Sequence, residues 1–105
     1  MKLSFFIRDL ELKHTFTIAH QSRDIQDTVI VKLEGDGYYG LGETTTNPFY
    51  GMTQENICMA LEHARRIVET EPWETPHQLW SLCQEIFVEN PFAQCALDMA
   101  AWDLF

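Results

Sequence analysis

The sequence predicts an α+β fold in which a three-stranded antiparallel meander sheet is followed by three helices. In the first part of the chain, alternating and β-branched apolar residues flank Asp36 and Gly37, a pair typical of a tight hairpin turn. After Pro48 the apolar residues recur at helical spacing, and three segments open with helix-capping residues. Strands therefore precede helices within one domain that spans residues 1–105.

The strand predictions follow from side-chain alternation. Residues 2–13 alternate at first, but the later leucines have the opposite parity, so we expect a bend or bulge near Arg8 and Asp9. Residues 28–34 are rich in β-branched side chains and form the strongest predicted strand. Tyr38–Glu43 returns as the third strand, and its two glycines would permit a close approach of another backbone.

The three predicted helices each begin at a capping residue. Thr53 caps the first helix, which ends before Pro72, and Thr75 opens the second with a proline directly after it. The stripe that we expect the second helix to bury is Leu79, Leu82, Cys83, Ile86 and Phe87. Asn90 opens the third helix, Phe92–Phe105, which is apolar almost all round. No glycine or proline ends this helix, so we expect the surface that covers it to lie in residues missing from this chain.

Composition excludes several classes of function. The chain has 105 residues, of which 46% are hydrophobic, and a formal net charge of −9 with scattered basic residues. Nucleic acids and anionic membranes bind concentrated basic surfaces, so neither is an expected partner. The sequence has no apolar run of membrane-spanning length and no signal-peptide pattern, and a cytoplasmic setting is expected. Cys58, Cys83 and Cys95 lie within apolar helical patterns without paired spacing, which predicts reduced core thiols.

Three segments carry a resemblance to a known family. Tyr39–Glu43 resembles the Gly-x-Gly-Glu stretch that ends the third strand of enolase-superfamily capping domains in the muconate-lactonizing subgroup. Ala96–Leu104 is similar to the Ala-Leu-Asp-x-Ala-x-Trp-Asp-Leu helix that leads into the barrel of that subgroup. Asn47–Gly51 and the segment from Thr15 to Arg23 resemble the corresponding parts of dipeptide epimerases. The chain thus looks like the amino-terminal capping domain of a dipeptide epimerase.

This resemblance implies a reaction in which a proton next to the substrate carboxylate is removed and returned. In the family, three acidic residues hold one magnesium ion that stabilises an enediolate, and lysines on opposite faces exchange the proton. That machinery belongs to a (β/α) barrel domain, which is absent from this chain, and residues 91–105 would lead towards it. The chain has no Lys-x-Lys pair, so no catalytic or metal-binding residue is assigned here and the segment alone is predicted to be inactive.

The same resemblance implies that two capping-domain loops, about residues 15–24 and 44–53, close over a dipeptide substrate. Arg23 is the favoured contact because a guanidinium can form a two-point contact with a carboxylate. The alternative is that Arg23 is a solvated cation paired with a nearby aspartate. His20 could donate to the substrate or be a merely exposed loop residue.

Further candidates lie in or near the second loop and on the third helix. Phe49 and Tyr50 could line the specificity pocket, or they could pack the loop onto its own domain. Glu43 is expected to be structural. Asp98 and Asp103 are expected to meet barrel groups or helix-end amides.

Two other functions fit the sequence. One is a lyase or cycloisomerase of the same subgroup, such as an o-succinylbenzoate synthase or a muconate cycloisomerase. The other is a non-catalytic binding or interaction module, which the missing lysines would suit. The full protein would bind its dipeptide between this segment and its own barrel domain, and a homo-oligomer is compatible with the sequence. The preferred dipeptide depends on loop geometry that sequence does not give.

Overall fold

The structure is a computed structural model that describes residues 1–11, 25–47 and 51–105, with side chains for 1–7, 28–47 and 51–105. Its strands and helices are β1 (Lys2–Glu11), β2 (Ile25–Gly35), β3 (Tyr38–Thr45), α1 (Gln54–Thr70), α2 (Pro76–Cys83) and α3 (Pro91–Leu104). The three strands form an antiparallel sheet in the order β1-β2-β3. The predicted α+β class and meander order are confirmed.

Strand β1 pairs with β2 along its whole length. The register runs without interruption from Lys2 opposite Glu34 to Glu11 opposite Ile25. The bulge expected near Arg8 and Asp9 is therefore wrong. The physical reason is that β2 begins at Ile25, before the predicted start, so that every residue of β1 has a partner in regular register.

The hairpin between β2 and β3 turns on two residues with left-handed backbone. Asp36 has a φ of 52° and Gly37 a φ of 83°. Positive φ at both central residues is characteristic of the type I′ turn, whose twist matches that of the flanking strands. The Asp-Gly pair predicted from sequence thus forms the expected turn.

One face of the sheet forms the core with the helices. Val29, Val31 and Leu33 of β2 are fully buried on this face. The buried residues of α1 are Ile57, Ala60, Leu61, Ala64 and Val68. The other sheet face exposes residues such as Phe6 and Leu41. Alternate residues of β2 and a stripe of α1 at helical spacing therefore form the two sides of this core.

The three predicted helix caps are present. The side-chain oxygens of Thr53, Thr75 and Asn90 accept hydrogen bonds from backbone N–H groups three residues on, at 3.0, 3.2 and 3.1 Å. The buried stripe predicted for α2 is wrong at Leu82, which is 39% exposed, whereas Leu79 and Cys83 are buried. Leu82 lies about 60° around the helix from Leu79 and so falls at the edge of the stripe. Ile86 and Phe87 of that stripe follow the helix, which ends at Cys83.

Helix α3 packs directly on the backbone of β3. A Cβ atom added to Gly42 would lie 1.9 Å from the carbonyl oxygen of Ala96, and one added to Gly40 would lie 2.2 Å from that of Ala100. These alanines are fully buried, so small side chains on both elements permit the contact. The close approach predicted for the third strand is confirmed.

Two carboxylates bind the outer strands of this sheet. The N–H of Leu3 in β1 donates to Oε2 of Glu69 at 2.8 Å. The N–H of Leu41 in β3 donates to Oδ2 of Asp103 at 2.9 Å. Each hydrogen bond joins an outer strand to a helix or its end, α1 in the first case and α3 in the second. Among the helices of the described segments, none is long and apolar enough to cross a membrane.

Candidate functional site

The residues predicted to contact substrate fall at two places in the chain. Arg23 and His20 lie outside the described residues, as do Phe49 and Tyr50. Their roles stay predictions. What the structure does describe is the base of the second predicted loop, residues 44–47 and 51–53, together with the elements that hold it.

The segment 47–52 is closed by a pair of backbone hydrogen bonds. The N–H of Asn47 donates to the carbonyl oxygen of Met52 at 2.8 Å, and the N–H of Met52 donates back at 3.0 Å. Met52 is buried, which anchors one side of this bridge in the core. Gly51, next to it, has a φ of 68°, a left-handed conformation that favours glycine. The two ends of the segment are therefore held at a fixed separation.

The start of α1 contributes two side-chain amides to this region. Nδ2 of Asn56 donates to the carbonyl oxygen of Gly51 at 2.6 Å. Nε2 of Gln54 donates to the carbonyl oxygen of Thr28 in β2 at 3.2 Å. The first turn of α1 thus binds both the base of the loop and the central strand. Sequence reasoning missed both amides. The available signal was at Asn56, an asparagine in the first turn of a helix, where acidic residues are favoured.

One of the two acidic candidates on α3 forms a hydrogen bond with the sheet. Asp103 accepts from the strand amide of Leu41, whereas we expected a barrel group or a helix-end amide. Asp98 is half-buried beside a small cavity between α2 and α3. Glu43 is exposed. In the ranges that the structure describes, no group of three His, Cys, Asp or Glu side chains could hold a metal ion. The magnesium ion that the resemblance implies therefore does not fit the residues described here.

The three cysteines are free thiols in different environments. Burial raises the pKa of the Cys83 thiol to about 11 and also raises that of Cys58. Both thiols are therefore neutral at physiological pH, as expected for structural cysteines rather than nucleophiles. Cys95 is exposed, so the prediction of a core thiol is wrong at that position because it faces outward from α3.

Helix α3 has one covered side and one open side. Its alanines and Leu97 are buried, although we expected nearly the whole circumference to need a cover. The open side, which we name the outer α3 face, consists of Cys95, Met99, Trp102 and Phe105. Trp102 is 50% exposed and meets the ring of His77 edge-on, with centroids 5.1 Å apart. This face exposes aromatic and sulfur-containing side chains to solvent.

The hydrogen bond of Asp103 gives a testable expectation. Replacing Asp103 by alanine removes the acceptor for Leu41 N–H and should lower the free energy of unfolding by about 1 kcal/mol. Asp103→Asn retains a side-chain oxygen and should lose less. Urea unfolding of the purified chain measures both variants. Equal losses would show that the negative charge, rather than the hydrogen bond, supplies the stability.

Comparisons with known proteins cover almost the whole chain. Residues 2–105 match the model of the mandelate racemase / muconate lactonizing enzyme N-terminal domain. An L-Ala-D/L-amino acid epimerase of Flavobacterium johnsoniae is 42% identical over 105 residues, which is all of this chain and 31% of that protein. A Maribacter protein of the same name has the same identity and coverage.

A solved structure agrees with the fold. A dipeptide epimerase from Enterococcus faecalis, complexed with Mg and the dipeptide L-Leu-L-Tyr, superposes with a TM-score of 0.80 at 26% identity. The match covers 98% of this chain and 30% of that one. The chain thus spans less than a third of the length of these relatives. With its three-stranded meander and three helices, it belongs to the family of mandelate racemase / muconate lactonizing enzyme N-terminal domains, the capping domains of the enolase superfamily.

Proposed function

We propose that this chain is the capping and specificity domain of a dipeptide epimerase. The observation that supports this most strongly is the 42% identity over all 105 residues with two proteins named L-Ala-D/L-amino acid epimerases. The reaction would remove the proton from the α-carbon that bears the dipeptide's carboxylate and return a proton to either face of that carbon. Magnesium would be held by residues outside those described here, in a barrel domain that follows residues 91–105.

The chain's own contribution would be to bind and enclose the distal part of the dipeptide. Arg23 would bind a substrate carboxylate, with His20 beside it in the first loop. Phe49 and Tyr50 would line the side-chain pocket from the second loop, whose base is closed by the bridge between Asn47 and Met52. Excluding water in this way strengthens every polar contact with the substrate.

The outer α3 face would pack against the barrel domain. Its exposed Met99, Trp102 and Phe105 are apolar side chains that water does not favour. Burying them would fix the capping domain above the mouth of the barrel, and so would set where the two loops lie. The outer α3 face, which the sheet does not cover, would thus hold the two domains together.

The test is a comparison of the full-length protein with residues 1–105. The full-length protein should epimerise L-Ala-L-amino acid dipeptides and exchange the α-proton for deuterium in D₂O, measured by proton NMR. Residues 1–105 should do neither, because the chain has no Lys-x-Lys pair to move the proton. Conversion of a cyclic or aromatic acid, without turnover of dipeptides, would favour the lyase alternative. Turnover by the purified 1–105 segment would overturn the division of roles proposed here.

A further inference from the structure

Two asparagine side chains connect the base of the 47–52 segment to the starts of two helices. Asn56, in the first turn of α1, donates through Nδ2 to the carbonyl oxygen of Gly51 at 2.6 Å. The backbone carbonyl oxygen of Asn56 accepts from Nδ2 of Asn90 at 3.1 Å. Oδ1 of Asn90 in turn accepts from the N–H of Ala93, which caps α3. The series of hydrogen bonds therefore runs from the loop base through α1 to α3.

The needs of the helices do not explain these two amides. Thr53 already caps α1, and an acidic residue at position 56 would suit the positive end of the helix dipole better than asparagine. At position 90, aspartate or serine would cap α3 as well as asparagine does. Asparagine differs from these residues in having an N–H donor beside its acceptor oxygen. The side-chain N–H groups of Asn56 and Asn90 donate hydrogen bonds to carbonyl oxygens outside the helices that these residues begin.

The side-chain amide of Asn90 is buried, which restricts the groups that can form hydrogen bonds with it. Asn90 is only 7% exposed, so its donor and acceptor must find protein partners or lose hydrogen bonds that water would supply. The partners that it finds lie on α1 and α3, 34 residues apart in the case of Asn56. The start of α1 is consequently held on one side by the loop base and on the other by the cap of α3.

We propose that Asn56 and Asn90 are positioning residues, which together fix the base of the 47–52 segment to the starts of α1 and α3. The consequence for substrate rests on the proposed function, in which this segment carries the specificity pocket. Loss of either donor would let the bridge between Asn47 and Met52 open more often. The dipeptide would then bind less tightly, while the chemistry of the bound substrate would be unchanged.

Asn56→Asp tests this directly because it keeps the size of the side chain and removes the donor. The new carboxylate would face the carbonyl oxygen of Gly51, so the amides of Asn47 and Met52 should exchange with solvent roughly tenfold faster. Helix α1 itself should be no less stable, since an acid in its first turn is favourable. Hydrogen exchange followed by NMR and thermal unfolding of the full-length protein measure the two effects. Gln84→Glu, an exposed change of the same charge far along the chain, should leave the exchange of these two amides unchanged.

Asn90→Asp provides the second variant, because it keeps the cap of α3 and removes the donor to Asn56. It should speed exchange of the same two amides by a smaller factor. Unchanged exchange in Asn56→Asp would overturn the proposal, and unchanged exchange in Asn90→Asp would overturn the part played by Asn90.

Kinetics separate this proposal from the proposed function. In the full-length protein, Asn56→Asp should raise the KM for dipeptides several-fold and leave kcat within about twofold. Faster exchange with an unchanged KM would overturn the positioning role towards substrate. If the wild-type protein fails to epimerise dipeptides, the proposed function fails, whereas the exchange measurements still decide whether the two asparagines hold the loop base.

Discussion

Replacing Gly42 by alanine should lower the free energy of unfolding by about 3 kcal/mol or more, at or above the upper end of the usual cost of overpacking. The added Cβ would lie 1.9 Å from the carbonyl oxygen of Ala96 and 2.8 Å from the backbone nitrogen of Ala100. Both atoms belong to the backbone of α3 and have no side-chain rotation by which to move away. The helix would have to leave the sheet. Urea unfolding monitored by circular dichroism measures the loss.

Gly37→Ala is the matched control. Gly37 has a positive φ, but no atom lies within 4 Å of an added Cβ, so the cost should be the backbone strain alone, about 1–2 kcal/mol. A Gly42→Ala variant that is no less stable than Gly37→Ala would contradict the close packing of α3 on β3. A selective loss at Gly42 would show that the Gly-x-Gly pattern of this strand serves the helix contact.

Arg23→Ala in the full-length protein should reduce kcat/KM for dipeptides by roughly 10- to 150-fold. The expected loss is that of a charge-assisted contact with a substrate carboxylate, worth about 1.5–3 kcal/mol. Arg23→Lys should recover only part of the activity, since an ammonium group cannot form the two-point contact of a guanidinium. Steady-state kinetics with several dipeptides measure both variants.

The alternative role of Arg23 makes a different prediction. If Arg23 only pairs with a neighbouring aspartate in water, its replacement should cost at most about 1 kcal/mol of stability and leave kcat/KM unchanged. Under the substrate-binding hypothesis, by contrast, replacing Arg23 should hardly change magnesium affinity or thermal stability. Unchanged kinetics would leave His20, Phe49 and Tyr50 as the candidate contacts of the two loops.

Local signals predicted most of the fold. The Asp-Gly turn and the caps at Thr53, Thr75 and Asn90 depend on residues close in sequence, and the structure contains each of them. The bulge in β1 was predicted from that strand's own parity, but its pairing is set by β2, which begins at Ile25. A partner strand far along the chain decides the register, and local alternation does not report where it starts.

The candidate site was less accessible to sequence reasoning for the same reason. A family resemblance identified Arg23, His20, Phe49 and Tyr50, which lie outside the described parts of the chain. The double use of Asn90 was not foreseen, because its capping role is local whereas its contact with Asn56 spans 34 residues. Polar side chains with one evident local role can therefore conceal a second one that only the tertiary structure reveals.

The hydrogen bonds of Glu69 and Asp103 also bear on whether the sheets of two molecules can pair edge to edge. Strands β1 and β3 are the two outer strands of the sheet, where free amides could pair with a strand of another molecule. A carboxylate occupies the amide of Leu3 on one side and that of Leu41 on the other. An incoming strand would have to displace the carboxylate and bring its own carbonyl oxygens close to that charge. Pairing of a further strand at these two positions is therefore disfavoured.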